Sequence, residues 1–171
     1  CLAALASLST GHSLRHPQSD ITASARSFAY YGTAADKVHG DTIPFTEGFF
    51  VTTEYLPHGV TGHIIPWNYP AQMLGRTLAP ALAMGNATVL KPAEDACLSS
   101  LRIVELCRDA GFPPGAISLV PGTGEDAGAA LAAHRGLDFI SFTGSPEVGA
   151  LVQIAAAHNH IGCTLELGGQ S

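Results

Sequence analysis

The stretch VTGHIIPWNYPAQMLGRTLAPALAMGNATVLKPAE, residues 60–94, contains a strand, a helix and a second strand in close succession. The strands are predicted at Gly62–Ile65 and Ala87–Leu90, since both are short, apolar and bounded by Gly, Pro or Asn. The Ala- and Leu-rich segment between them, near 71–84, is long enough for a helix. Two strands joined by a helix are typical of a βαβ unit, in which the strands run parallel.

The same alternation of strand and helix continues through the rest of the chain. Further strands are predicted at Ala116–Val120, Asp138–Phe142 and Thr164–Leu167, and further helices near 98–110, 125–134 and 146–157. Five such strands predict an α/β fold with one parallel sheet and helices on its faces. Ligands of open parallel sheets bind beyond the carboxyl ends of the strands. Because every predicted strand ends in a loop with Gly, Pro or Asn, we expect a ligand site there.

The first part of the chain, residues 1–40, is predicted to be helical. Asp20 is a suitable N-cap for a helix, because its side chain can accept a hydrogen bond from the first free N–H groups. Four apolar side chains then recur on one face of that helix, at Ile21, Ala25, Phe28 and Ala29. Residues 40–48 are turn-like, and Phe49–Leu56 is predicted to be a strand because it is rich in Phe, Val, Thr and Tyr.

The two ends of the sequence lie within or just beyond predicted secondary structure. The chain begins at Cys1 without Met, and Leu2–Leu8 has the composition of the middle of a helix. It stops at Ser171, directly after a predicted strand and a Gly-Gly pair. We therefore expect the chain to be a fragment of a longer protein.

The composition excludes several classes of protein. Hydrophobic residues make up 46% of the 171 residues and charged residues 13%, the opposite balance from a disordered chain. The net charge is −6, with eight Lys and Arg in total, so the sequence carries no basic surface for nucleic acid. No apolar run approaches the roughly 18 residues that a membrane helix needs. We expect neither nucleic acid nor a membrane as a partner.

The cysteines and histidines show no pattern of a metal site or a disulfide framework. Cys1, Cys97, Cys107 and Cys163 include no CxxC pair. The sequence HNH at 158–160 places two histidines close together, but no third ligand lies nearby. Reduced thiols are typical of cytosolic proteins, and we therefore expect a cytoplasmic location and no metal.

The sequence FTGSPEVG, residues 142–149, joins the fourth predicted strand to a helix. Ser145 is a good N-cap and Pro146 suits the first helical position. The free N–H groups of such a helix start favour an anion such as a pyrophosphate. Gly144 is expected to form the turn, and Gly149 to allow close packing of helix and strand. Taken alone, the sequence is also compatible with an ordinary capped turn.

Two charged residues follow the second predicted strand. Lys91 and Glu94 offer an ammonium and a carboxylate that can together bind the two hydroxyls of a ribose. A carboxylate at this place would repel a 2′-phosphate, which favours NAD over NADP. A surface ion pair of little energetic value is the alternative interpretation.

Two further residues have side chains suited to catalysis. Asn68 follows Trp67 after the first strand, and its amide can donate a hydrogen bond to a developing oxyanion. Glu166 stands between two Leu residues in the last strand, and burial there would make its carboxylate a stronger base. An ordinary turn Asn and a Glu facing solvent at a strand edge are the alternatives.

Taken together, these residues form an ordered set of motifs. They are PHGVTGHIIPWNYP at 57–70, GNATVLKPAE at 85–94, AGFPPG at 110–115, FTGS at 142–145 and LELGG at 165–169. In this order they resemble the NAD-dependent aldehyde dehydrogenase superfamily, from about Thr10 to the last residue. The usual residue after LELGG in that family is Lys, whereas this sequence has Gln170, which leaves the subfamily open.

The resemblance implies a Rossmann-like cofactor domain over residues 58–171, with the N-terminal helical part at 1–40. Residues 41–57 would form the β arm that bridges subunits in homodimers or homotetramers. NAD, with NADP as the alternative, would lie against a set of residues contributed by several loops. The resemblance assigns to that set Ile65, Pro66, Trp67, Lys91, Glu94, Gly124, Phe142, Gly144, Ser145, Gly149 and Leu167.

The resemblance also implies covalent chemistry on a small-molecule aldehyde. A cysteine thiolate attacks the aldehyde, a hydride leaves for the cofactor, and the thioester is hydrolysed to a carboxylic acid. Asn68 would stabilise the oxyanion and Glu166 would activate the hydrolytic water. The resemblance places the nucleophile roughly thirty-odd residues beyond Glu166. None of the four cysteines of this sequence carries its motif. The fragment alone would then be inactive.

Two other functions are compatible with parts of the sequence. The parent protein could be a pseudoenzyme that binds NAD or partner subunits without turnover, although such a protein needs neither Asn68 nor Glu166. It could also be a related semialdehyde or acyl-phosphate reductase. Lys91 and Glu94, together with the Trp67–Asn68 pair, favour the hydrolytic branch over this second alternative.

Overall fold

The computed structural model describes residues 2–169 and begins with two helices and a small ribbon of strands. These elements are α1 (Leu2–Thr10), α2 (Arg15–Ala34), a 3-10 turn (Ala35–Lys37), β1 (Thr42–Ile43) and β2 (Val51–Thr52). β1 and β2 pair antiparallel, with Thr42 opposite Thr52. The predicted strand over Phe49–Leu56 is therefore wrong in length. Only two of its residues have a pairing partner among the described residues, and Phe49 and Phe50 are exposed.

Five strands form the central sheet, which is parallel throughout. They are β3 (Val60–Ile65), β4 (Ala87–Pro92), β5 (Ile117–Leu119), β6 (Phe139–Gly144) and β7 (Gly162–Leu167). Their order across the sheet is β5-β4-β3-β6-β7. From β3 the chain adds β4 and β5 on one side, and it then crosses to the other side of β3 to add β6 and β7. The predicted α/β fold with a parallel sheet is confirmed.

Helices cover both faces of this sheet. They are α3 (Pro70–Ala83), α4 (Cys97–Asp109), α5 (Ala129–Ala132) and α6 (Pro146–His158). A π-helical turn at Gly124–Gly128 leads into α5, so the helix predicted near 125–134 is divided into two pieces. Gly85, with φ of +81°, ends α3 in a backbone conformation that glycine adopts readily and turns the chain into β4.

The apolar core has two parts, one on each side of the sheet. On one side Leu74 and Leu78 of α3 pack with Ile65 and Leu90 of the sheet and with α4. On the other side Val152 of α6 packs with residues that include Ile140, Phe142 and Leu131. Ile65, Leu74, Leu78, Leu90 and Ile140 are almost completely buried. Each apolar side chain buried in this way contributes about 1.5–3 kcal/mol, so the two halves of the core fix the sheet between its helices.

The start of α2 differs from its prediction. Asp20 lies inside α2 and is not its N-cap, because the helix already begins at Arg15 and tolerates Pro17 in its first turn.

The predicted apolar face of α2 is confirmed in part. Ile21 and Phe28 pack against the core, whereas Ala25 and Ala29 are exposed. The contact with α3 is made elsewhere on the helix, at the buried Ser24. A Cβ on Gly75 of α3 would lie only 2.6 Å from Ser24 Oγ, so the two helices approach closely through small residues.

Candidate active site

A cleft lies where the strand order reverses, beyond the carboxyl ends of β3 and β6. It has a volume of about 820 Å³ and is termed the switch-point cleft. Open α/β sheets bind their ligands at this position. Nine of the eleven residues predicted to bind the cofactor line it: Ile65, Pro66, Trp67, Lys91, Glu94, Gly124, Phe142, Gly144 and Ser145.

Lys91 and Glu94 form an ion pair at one end of this cleft. Lys91 Nζ lies 3.0 Å from Glu94 Oε2, and the Lys91 side chain is 3% exposed whereas that of Glu94 is 50% exposed. The backbone N–H of Glu94 itself, and then Lys91, lower the pKa of this carboxyl group. Because the ammonium is buried and has three donors, the pair is not an ordinary surface contact. It can offer donors and acceptors to a hydroxylated ligand.

The start of α6 borders the same cleft. Ser145 Oγ accepts a hydrogen bond from the Val148 N–H at 3.3 Å, and Pro146 occupies the first helical position. This arrangement leaves the positive end of the helix dipole at the cleft, as an anion site requires. Gly144 does not form the turn that was predicted. It is the last residue of β6, and an added Cβ there would lie 2.5 Å from the Phe142 ring.

The remaining two predicted cofactor residues are near each other but do not line this cleft. A Cβ on Gly149 would lie 2.5 Å from the Leu167 side chain, so Gly149 permits α6 to pack on the end of β7. Leu167 lines a neighbouring cavity of about 580 Å³, termed the Asn68 cavity. Pro66, Trp67 and Thr143 belong to both spaces. The two spaces are therefore adjoining parts of one site.

The Asn68 cavity brings the two predicted catalytic residues together. Asn68 lies in the loop between β3 and α3, and Glu166 lies on β7 opposite Thr143 of β6. The expected burial of Glu166 is wrong, since its side chain is 54% exposed. β7 is the edge strand of the described sheet, so its residues lack a neighbour on one side.

Arg76 is a residue of this cavity that the sequence did not reveal. Its Nη2 atom lies 3.2 Å from Glu166 Oε1, and its side chain is 52% exposed. Met73, one helical turn earlier on the same face of α3, also lines the cavity. The spacing of three residues indicates that Arg76 lies on the same helix face as Met73. No sequence rule connects Arg76 with a strand near the end of the chain.

Asp20 fixes the loop that carries Asn68. Its carboxylate accepts hydrogen bonds from the N–H groups of Ala71 at 3.0 Å and Gln72 at 2.8 Å, so it caps α3 from a distant helix. Burial raises the pKa of Asp20. The two N–H donors, and then His16 and His12, lower this pKa, but their effect is smaller than that of burial. The His16 ring lies 4.6 Å from that of Tyr69, which supports the other side of the loop.

A third cavity, termed the His63 cavity, lies on the α3 side of the sheet. It has a volume of about 440 Å³, and its polar lining includes Thr61, His63, Asn86, Ser141 and Thr164. His63 Nε2 lies 2.9 Å from Thr61 Oγ1, whereas its Nδ1 has no hydrogen-bond partner among residues 2–169. Burial lowers the pKa of His63 to about 4, so the ring is neutral at physiological pH.

The described cysteines do not have the features of an activated nucleophile. Burial raises the pKa of the Cys107 and Cys163 thiols, which disfavours the thiolate. Cys97, Cys107 and Cys163 are free thiols. Cys1 and Gln170 lie outside the described residues. Within the part of the chain that the structure covers, no three His, Cys, Asp or Glu residues form a group that could hold a metal ion.

None of the helices in the described range combines the length and the apolar character needed to cross a membrane. This finding concerns only residues 2–169.

Comparison with known proteins identifies the family. The aldehyde dehydrogenase family profile matches residues 1–171. Human retinal dehydrogenase 2 is 50% identical over 89% of this chain and 30% of its own length. A mitochondrial aldehyde dehydrogenase from Equus caballus is 51% identical over 83% of this chain and 29% of its own length.

The solved structures agree with the sequence comparison. PnpE from Pseudomonas sp. WBC-3, in a crystal structure with nicotinamide adenine dinucleotide, superimposes with a TM-score of 0.97 and 44% identity over 99% of this chain and 35% of PnpE. The chain spans about 30% of the length of the curated relatives it matches. The match over its whole length nevertheless shows that this chain belongs to the aldehyde dehydrogenase family.

Proposed function

We propose that this chain supplies the NAD-binding part and two catalytic side chains of an enzyme that oxidises an aldehyde to a carboxylic acid. The observation that carries this proposal is the position of Asn68 and Glu166 in one cavity that adjoins the switch-point cleft. A protein that only bound a dinucleotide would need neither side chain. The crystal structure of PnpE with nicotinamide adenine dinucleotide supports the choice of cofactor.

The residues of the switch-point cleft fit NAD. The buried ammonium of Lys91 and the half-exposed carboxylate of Glu94 would hold the adenosine ribose. The capped start of α6 at Ser145 would face the pyrophosphate. When bound, NAD supplies the acceptor for the hydride. The carboxylate of Glu94 would repel a 2′-phosphate, so we propose NAD rather than NADP as the natural cofactor.

Asn68 and Glu166 would act at two different stages of the reaction. The Asn68 amide would donate a hydrogen bond to the oxyanion that forms when a thiolate adds to the aldehyde carbon. The thiolate would come from a part of the protein outside these 171 residues. Glu166 would accept a proton from a water molecule, and the resulting hydroxide would attack the thioester and release the acid and the thiolate.

We also propose an assembly, a substrate class and a compartment for the parent protein. Residues 41–57 would bridge subunits of a homodimer or homotetramer, and the substrate would be a small aldehyde. The free cysteines agree with a reducing compartment such as the cytoplasm. Since a relative named above is mitochondrial, the compartment needs a direct test by fractionation.

Substitution of the two catalytic residues in the complete protein tests the proposal. Asn68→Ala should lower kcat by roughly 10²–10³-fold, because one oxyanion donor is lost. Glu166→Gln should preserve the initial burst of NADH and abolish the slower steady-state rate, since only hydrolysis needs the base. Both rates are measured by stopped-flow absorbance.

Two substitutions serve as matched controls. Asn159→Ala changes an amide at the far end of α6, and Glu105→Gln removes a carboxylate from an exposed pair with Arg102. Both should retain nearly full activity. A loss below threefold in Asn68→Ala would contradict its role. A wild-type protein that binds NAD but shows no turnover would favour the pseudoenzyme.

A further inference from the structure

Arg76 and Glu166 meet at the boundary between two cavities. Arg76 belongs to α3, and its guanidinium lies 3.2 Å from the carboxylate of Glu166 on β7. The Asn68 cavity and the His63 cavity have three lining residues in common, which are Arg76, Thr143 and Glu166. The ion pair therefore forms part of the wall that separates the proposed reaction centre from the polar cavity behind it.

Arg76 also differs in charge from the other groups around Glu166. The titratable groups that share the two cavities with this carboxylate are Tyr55, His58, His63 and Arg76. Burial lowers the pKa of His63 to about 4, so that ring carries no charge at neutral pH. His58 stacks on Phe139 at 4.8 Å. Arginine remains protonated under all physiological conditions.

An arginine at this distance restricts the rotamers of Glu166, since the guanidinium has donors in a fixed planar arrangement. Both side chains are about half exposed, so solvent screens the pair and its effect is moderate.

We propose that Arg76 is a positioning residue for Glu166, whose carboxylate it holds oriented at the boundary of the two cavities between turnovers. This inference rests on the proposed role of Glu166 as the base. In each cycle the carboxylate would accept one proton from the attacking water and thereby lose its ion pair. Release of that proton to solvent would restore the pair with Arg76.

The test uses Arg76→Gln and Arg76→Lys in the complete enzyme, with Arg102→Gln as the matched control. Arg102 is a similarly exposed arginine that pairs with Glu105 at 2.8 Å on α4. The steady-state rate after the NADH burst is measured at neutral pH with an uncharged aldehyde. In Arg76→Gln this rate should fall by roughly two- to fivefold, because the carboxylate is less often in the orientation that reaches the water. Arg76→Lys should recover most of the lost rate.

Two further readouts separate positioning from other roles. The rate constant of the NADH burst should change less than twofold, because acylation does not depend on the base. In substrate-free protein, the ¹³C NMR signals of the Glu166 side chain should show more rotamer averaging in Arg76→Gln than in wild type. This measurement does not require activity. Arg102→Gln should match the wild type in every assay.

Three outcomes would overturn the inference. The first is a steady-state rate and an NMR spectrum that Arg76→Gln leaves unchanged. The second is an effect confined to the KM of aldehydes that carry a carboxylate, which would make Arg76 a substrate-binding group. The third is a loss of rate in Arg76→Gln that Arg76→Lys does not recover. If Glu166→Gln itself retains full hydrolysis, the proposed role of Glu166 fails, whatever Arg76→Gln shows.

Discussion

The His63 side chain is buried within a strand of the sheet, between a hydroxyl partner and a polar cavity. Its ring is 5% exposed, and Thr61 Oγ1 lies 2.9 Å from its Nε2 atom. Desolvation favours the neutral form of an imidazole, and this effect lowers the pKa of His63 to about 4 from an ordinary value of 6.5. The protonation of this residue is therefore linked to folding.

We predict that this linkage makes the protein less stable in mild acid. The unfolded chain binds a proton at His63 below pH 6.5, whereas the folded chain binds it only near pH 4. The free energy of unfolding is therefore not reduced by this residue above pH 6.5. As the pH falls from 6.5 toward 4, protonation of His63 in the unfolded chain lowers the free energy of unfolding. The loss over this window is on the order of 3 kcal/mol. In His63→Gln, which does not titrate, this part of the pH dependence should disappear.

The prediction is checked by denaturant unfolding of wild type and variant at several pH values between 7.5 and 4. His158→Gln is the matched control, because His158 is exposed in the last turn of α6. It should leave the pH dependence of the unfolding free energy unchanged. An equally steep loss of stability in His63→Gln would show that other groups cause the acid sensitivity.

At the residue scale, sequence spacing revealed local contacts and missed distant ones. Lys91 and Glu94 are three residues apart, and their pair could be predicted from the printed sequence. Arg76 and Glu166 belong to different elements, α3 and β7, and only the tertiary fold brings their side chains together. Asp20 caps a helix whose first N–H partner lies 51 residues away. No local rule on capping or ion pairs predicts a contact that the tertiary fold creates.

At the scale of elements, the alternation of apolar strands and Ala-rich helices was sufficient to predict five parallel strands. Their order could not be predicted, because β3, β4 and β6 are all short and apolar and each would fit the centre of the sheet. The order follows from the packing of the helices against both faces. This strand order also places the switch-point cleft beside β3 and β6. The position of the site could therefore not be predicted without the strand order.

The connection that follows β4 carries a prediction about cofactor choice. Glu94 lies in a short 3-10 turn at the mouth of the switch-point cleft, with its side chain 50% exposed. Its negative charge should disfavour the 2′-phosphate of NADP, since like charges brought together cost binding energy. The complete wild-type enzyme should therefore have a much lower KM for NAD than for NADP. Glu94→Ser should reduce this preference by roughly tenfold.

Glu105→Ser is the control for this comparison, because Glu105 is an exposed carboxylate on α4 that does not line the cleft. Steady-state KM values for both cofactors are measured for all three proteins. Equal KM values for NAD and NADP in the wild type would refute the role given to the Glu94 carboxylate. A Glu94→Ser variant with an unchanged ratio would do the same.

At the scale of the whole molecule, the segment 41–57 stands out by its exposed aromatic side chains. Phe45, Phe49 and Phe50 are between 69% and 82% exposed, and Phe45 and Phe49 contact each other edge to face at 5.9 Å. β1 and β2 contain two residues each. A two-stranded ribbon of this size is marginally stable in water by itself. Exposed apolar clusters of this kind commonly mark a surface that another protein covers.

We predict that this segment holds together two copies of the parent protein. Because burial of the Phe side chains would drive the association, the double variant Phe49→Ser/Phe50→Ser should shift the complete protein from an oligomer toward a monomer. The mass is measured by size-exclusion chromatography with light scattering.

Leu8→Ser is the control, because Leu8 is an exposed apolar residue of α1 outside the segment, and it should leave the mass unchanged. NAD affinity should stay the same, since the segment does not line the switch-point cleft. A double variant that keeps the wild-type mass would show that the aromatic cluster serves another contact, and the bridging role of residues 41–57 would have to be abandoned.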